Sequence, residues 1–350
     1  MSLAMARPEN AAANSDSNWI NYKRLIASFY GILALLIIGT YILAFILALF
    51  MFFSSEGAPF ADQSYKAIKI NVLYFWIVSI QIEARAWQIF LVLNFVFALS
   101  FLSAFFSNKR FCAVTKDLFV KGNLNEFQRN FLILMPGISS AMLLITTALN
   151  VLGERAGVGV GGPSFANPFS EIFTLSFAVI SEEIGFRLVP ILVPTAFYLL
   201  LKTRNSIRGM PKRTKIFMIA TAVLKPESYR CRLGVESDQW FTVLKTLLIL
   251  VSSLMFSYAH ILFGSWGWGK LPSTFIAGLV IGHFSVKYGF DSAILLHWFF
   301  NYYWSALSLA TGLGTPFSLI NELAYVVTVY LGLFTLIYLL FGFLGKKYNI

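Results

Sequence analysis

The sequence predicts an all-α, polytopic membrane protein, a helical bundle of about eight transmembrane helices. Three observations carry that prediction. Hydrophobic residues make up 58% of the 350 and charged residues only 12%, about half the charge of an average soluble domain. Mean hydropathy is +0.73. The apolar residues are gathered into runs of about 20, the length a helix needs to cross the hydrocarbon core of a bilayer.

The elements follow in order. Residues 1–24 are polar and lack the apolar core of a signal peptide, so they read as a disordered cytoplasmic tail. Apolar runs occupy 25–53, 86–107, 131–152, 169–201, 241–263, 272–289, 290–312 and 318–345, one transmembrane domain over 25–345. The stretch 68–82 is apolar but too short to span, and is expected to lie at the interface or to extend the second helix. Pro136-Gly137 should bend the third helix. The fourth run is too long for one straight span, and Pro190 and Pro194 should kink or break it, because a proline removes a helical hydrogen bond and clashes with the preceding turn.

Charge distribution sets the expected orientation and excludes one class of partner. The net charge is +11, yet Lys and Arg cluster in alternate loops between apolar runs. That is the positive-inside pattern, with both termini cytoplasmic, and not a nucleic-acid surface. The basic loop 202–240 is the only sizeable soluble piece, a solvated segment near anionic lipid or a docking surface for a substrate tail. The glycine-rich stretch 153–163 contains no GK[ST] and reads as a flexible external loop. Cys112 and Cys231 offer neither a disulfide framework nor a CxxC metal site.

Against this apolar background a few ionisable residues stand out. Charged groups at mid-bilayer are costly and face one another or water. Ser181-Glu182-Glu183-Ile184-Gly185-Phe186-Arg187 interrupts the fourth run. Glu183 and Arg187 share a helix face at i, i+4 and can pair, whereas Glu182, about 100° round the helix, points elsewhere. The three histidines, His260, His283 and His297, all fall in apolar runs. His283 has no motif around it and reads as a core residue. His260 follows Phe256 by one turn, and His297 precedes Asn301 by one turn. Ser181 and Ser257 adjoin these residues without a triad that would make either a nucleophile.

The patterns EExxxR, FxxxH and HxxxN, in this order on three apolar helices, resemble the CPBP family, the CAAX prenyl proteases and bacteriocin-processing proteins also called the ABI family. The match consists of Glu182, Glu183 and Arg187, then Phe256 and His260, then His297 and Asn301, within a core of 169–312. The helix count is similar to that of the type II CAAX prenyl endopeptidase branch. Two departures are visible: Glu182 and His260 are widely spaced, owing to the 202–240 insertion, and Arg187 is followed by Leu188 where relatives usually carry Gly.

The resemblance implies an intramembrane endopeptidase of the glutamate type. Glu182 and His260 would activate a water, His297 and Asn301 would stabilise the oxyanion, and Glu183, Arg187 and Phe256 would support them. The implied partners are the lipid bilayer and a peptide or protein C-terminal region, with or without a prenyl group, and no cofactor is called for. Three alternatives compete with that activity: a zinc metalloprotease, although HExxH is absent; a proton-coupled transporter using the Glu/His cluster as a relay; and a non-catalytic immunity or scaffold protein.

Overall fold

The computed structural model describes residues 9–107, 109–235, 237–263 and 266–348, with side chains from Tyr22 to Phe341. Residues 1–8 of the expected tail lie outside these, and the chain from Glu9 onward is already helical.

The first helix, Glu9–Phe52, shows why the bundle forms. Ala27, Tyr30, Ala34, Ile37, Tyr41, Ala44 and Ala48 recur every three or four residues and are buried, while Ile32, Leu36, Ile42, Ile46 and Phe50 on the other face are exposed. A helix with one packed stripe and an apolar outer face is built to lie between protein and lipid. Helices at Ala86–Phe106, Phe131–Arg155, Gln239–Phe263 and Thr315–Tyr348 follow four further apolar runs. Among the described residues six helical runs are long and apolar enough to cross a membrane. Leu271–Tyr288 and the helical unit 290–310 occupy the two remaining apolar runs, so among the described residues six of the eight expected spans meet that measure. These two are less apolar because they carry His283, Lys287, Asp291, His297 and Asn301. In the second of them Ser292 to Trp298 are all buried, which places it at the centre of the bundle.

The fourth run is neither straight nor broken at proline. Pro168–Glu183 continues into a π-helical segment, Ile184–Leu192, and on into Val193–Lys202. Pro190 lies inside the π segment and, having no N–H, leaves one carbonyl of the preceding turn without its usual donor. Ser252 Oγ donates to the carbonyl of Phe186, and the backbone N–H of Tyr74 donates to that of Gly185 at 3.0 Å. The helix is thus widened and pinned from two sides.

Tyr74 belongs to an element that corrects the reading of 68–82. That stretch does not extend the second helix but is most of an antiparallel hairpin, β1 (Ser64–Leu73) and β2 (Trp76–Arg85). Ten residues of each strand are rich in Ile, Val and Tyr, residues that fit a pleated ladder better than a helix. β1 lies along the fourth helix: Tyr65 packs on Phe173 at 5.3 Å between ring centroids, and the Asn71 N–H donates to Ser181 Oγ at 2.9 Å.

Most of loop 202–240 is folded into three short helices, Arg204–Arg208, Lys212–Leu224 and Pro226–Leu233. Asp238 ties it down by accepting from Lys202 at 2.7 Å and Tyr198 at 2.9 Å and by capping the helix Gln239–Phe263 through the Trp240 N–H at 3.1 Å.

Candidate active site

Three helices bring the seven residues singled out from the sequence into one cluster. Glu183 and Arg187 are buried, one turn apart, and the Arg187 Nη1 donates to Glu183 Oε1 at 3.0 Å. The same carboxylate oxygen accepts from His297 Nδ1 at 2.8 Å. That bond fixes the tautomer: with Nδ1 protonated, the Nε2 of neutral His297 is an acceptor, and Asn301 Nδ2 donates to it at 3.2 Å. Arg187 also lies 4.0 Å over the Phe256 ring, a cation–π contact strengthened because the guanidinium is withdrawn from water.

Glu182 occupies a different environment. It is turned away from Arg187, its side chain is 24% exposed, and its Oε2 is 3.7 Å from His297 Nε2, beyond a hydrogen bond. His260 lies within Coulombic reach of Glu182 and His297. Its Nδ1 is 2.9 Å from the Phe256 carbonyl and donates to it, which leaves Nε2 as the basic nitrogen. The Phe256 ring packs edge-on against both imidazoles, with centroids 4.6 Å from His260 and 6.0 Å from His297, holding the two rings apart.

Both π-helical segments coincide with this cluster. Arg187 is on Ile184–Leu192 and Asn301 is on Phe299–Tyr303, and π-bulges recur at functional sites because the extra residue re-aims side chains. Glu182 Oε2, Glu183 Oε2 and Arg187 Nη2 are buried without a hydrogen-bond partner, so the cluster has unspent hydrogen-bonding capacity for water or a substrate group. Among the described residues no group of three or more His, Cys, Asp or Glu is placed to hold a metal ion.

Other residues fall elsewhere. His283 lines a separate recess with Glu227, Lys245 and Lys287. Ser257 bonds Leu271 and Thr274, and Ser181 accepts from the hairpin. The sequence reading missed Asn71, Tyr74 and Phe75, which meet the motif helices at the hairpin tip. Tyr74 packs on Phe186, and Phe75 on Tyr258 and Phe263, with centroids 5.7–6.1 Å apart. The density of β-branched and aromatic residues over 64–82 is the signal that could have revealed them.

The fold and cluster define a polytopic helical membrane protein with a buried Glu–Arg–His–Asn site. Residues 165–303 match the family model described as Type II CAAX prenyl endopeptidase Rce1-like, in agreement with the family that the three motifs resemble. That family is one of CAAX prenyl endopeptidase-type membrane proteases. Comparison with curated proteins and with solved structures gave no significant match.

Proposed function

We propose that this protein is an intramembrane endopeptidase that hydrolyses a peptide bond with a water activated by Glu182 and His260, and that its substrate is the C-terminal region of a prenylated CAAX protein. The reading rests chiefly on the separation of two adjacent carboxylates into two environments. Glu183 is neutralised and locked by Arg187 and His297. Glu182, one residue away, is partly exposed and beside His260. Environment-split carboxylates commonly mark a supporting group and a working one.

Glu182 accepts a proton from the water as its oxygen bonds to the amide carbon, and the carbonyl π electrons move onto oxygen. The second N–H of Asn301 Nδ2, which in the resting site reaches the Leu175 carbonyl at 3.5 Å, is released to that oxyanion, while its first stays on His297. When the carbonyl re-forms, the C–N bond breaks and the proton held between Glu182 and His260 Nε2 passes to the leaving amine. Geometrically placed donors of this kind are usually the largest catalytic contribution in acyl transfer.

Cleavage of a farnesylated CAAX peptide by purified protein tests the proposal, with Glu182→Ala, His260→Ala and a chelator in parallel. Cleavage that survives chelator and is lost in both variants is expected. Absence of cleavage by folded wild-type protein removes this substrate class, and chelator-sensitive cleavage removes the mechanism.

A further inference from the structure

The hairpin lies outside the family match, yet its tip is bonded to the motif helix. Tyr74 N–H to Gly185 O and Asn71 N–H to Ser181 Oγ bracket Glu182 and Glu183. Gly185 is near the middle of the apolar run Pro168–Lys202, and Tyr65 packs on Phe173 near its start. The hairpin therefore runs beside the first half of a helical run long and apolar enough to cross a membrane, down to its middle.

At that depth the two edges of the hairpin are unequal. β1 turns its outer edge to the helix and is bonded there. β2 is the free edge: among the described residues nothing bonds the outward N–H and C=O groups of Trp76–Ile82. Backbone left unpaired against lipid does not persist, and non-helical backbone at membrane depth is found only where it lines water or meets protein. The bulge and the charges of β2, Glu83 and Arg85, are confined to its far end, so the stretch nearer the tip lacks the devices that blunt an edge. Trp76-Ile77-Val78-Ser79-Ile80-Gln81-Ile82 contains no charge and no proline, and Trp76, Ile77, Val78 and Ile80 are exposed. A peptide bond reaches a hydrolytic centre most readily as extended backbone, and the free edge of β2 starts beside the Tyr74-Phe75 tip, where Tyr74 meets the helix that carries Glu182.

We propose that the edge Trp76–Ile82 binds the peptide substrate as a third, extended strand and leads it past the hairpin tip to Glu182. This rests on the endopeptidase reading above. Main-chain hydrogen bonds along the edge would give affinity with little demand on sequence, and the exposed apolar side chains would favour a segment with apolar residues at alternate positions.

Disulfide mapping tests it on the full chain. Cys112 and Cys231 are both exposed, so Cys112→Ser and Cys231→Ser are introduced together with Ser79→Cys, and Glu182→Gln keeps the peptide whole. Farnesylated CAAX peptides carry one added cysteine walked residue by residue upstream of the modified cysteine. Side chains of a paired strand alternate between two faces, so disulfide yield is expected to rise and fall with a period of two. Uniformly low yield, or yield without alternation, overturns the proposal. So does a Ser79→Cys disulfide between two copies of the chain that excess peptide does not reduce, which would make the edge a subunit interface.

Cleavage by the same cysteine variant with Glu182 intact is read separately. Cleavage without alternating yield removes the edge and leaves the protease. Alternating yield without cleavage removes the protease and leaves a peptide-binding edge. As an independent check, Ile77→Lys with Ile80→Lys, which blunts the edge, is expected to raise KM about tenfold with kcat little changed. Unchanged KM overturns the proposal.

Discussion

His297 donates its Nδ1 proton to the oxygen of Glu183 that also accepts from Arg187, at 2.8 and 3.0 Å. Glu183 thus joins two helices and compensates a buried guanidinium. Removing one partner of a buried pair leaves an uncompensated charge, at a cost of about 3–5 kcal/mol. Glu183→Gln is therefore expected to lower thermal stability markedly and to abolish cleavage with it. Glu182→Gln is expected to abolish cleavage with stability close to wild type. Equal melting points for the two variants in the same detergent would contradict this division.

Asn301 offers a sharper test of the oxyanion assignment. Its amide nitrogen is anchored on His297 Nε2 at 3.2 Å and reaches the Leu175 carbonyl at 3.5 Å, and the hydrogen in that longer bond is the one a substrate oxygen can claim. Asn301→Ala is expected to lower kcat by about 10²–10³, the usual effect of losing one oxyanion donor, with KM nearly unchanged. Asn301→Asp, close in shape but lacking N–H donors, should not restore the rate. A rise in KM at unchanged kcat would instead make Asn301 a binding residue.

Away from the membrane core, Lys109 binds Asp117 and Glu126 and Lys121 binds Asp117, joining the helix Phe111–Lys121 to the turn Leu124–Arg129. The hydrogen bond from Lys109, followed by that from Lys121, holds the Asp117 carboxyl down at about 2, below the unfolded value of about 3.9. A depressed carboxylate pKa stabilises the fold fully above the unfolded value, and that stabilisation is lost as pH falls from about 4 to about 2. Melting temperature measured from pH 7 to pH 3 should fall more steeply for the wild type than for Asp117→Asn. Parallel curves would refute the linkage.

Much of the bundle was legible because a membrane span needs only length and apolarity. The run 86–107 became Ala86–Phe106, and 131–152 became Phe131–Arg155. The cluster was legible because i, i+4 spacing dictates a shared helix face, so the sequence alone pairs Glu183 with Arg187 and His297 with Asn301. The hairpin was hidden although β2 alternates: Val78, Ile80, Ile82 and Ala84 share one face and Ser79, Gln81, Glu83 and Arg85 the other, a period-two pattern too short to stand out beside the apolar residues that precede it. The hairpin's two-residue loop, Tyr74-Phe75, contains none of the Gly, Asn or Asp that usually supply positive φ in such turns, and Tyr74 itself adopts φ 49°. The π segment was also out of reach, because proline announces a disrupted helix without saying whether the chain kinks, breaks or widens.

The contact between hairpin and motif helix leaves no room for one extra carbon. A Cβ added at Gly185 would stand 2.7 Å from Asn71 Cβ and 3.1 Å from the Asn71 carbonyl oxygen. The first of these is shorter than carbon atoms tolerate, and both neighbours belong to a strand held by its own ladder. Gly185→Ala therefore has to lift the tip, breaking the Tyr74 N–H bond to the Gly185 carbonyl and exposing an acceptor that Pro190 cannot satisfy. The helix itself should persist, since alanine is the better helix former by about 1 kcal/mol. The expected outcome is faster amide exchange at Asn71 and Tyr74, preserved helical circular dichroism, and a large loss of cleavage through displacement of the Glu182 backbone. Gly185→Ala with wild-type exchange and activity would show that the tip has no hold on the site.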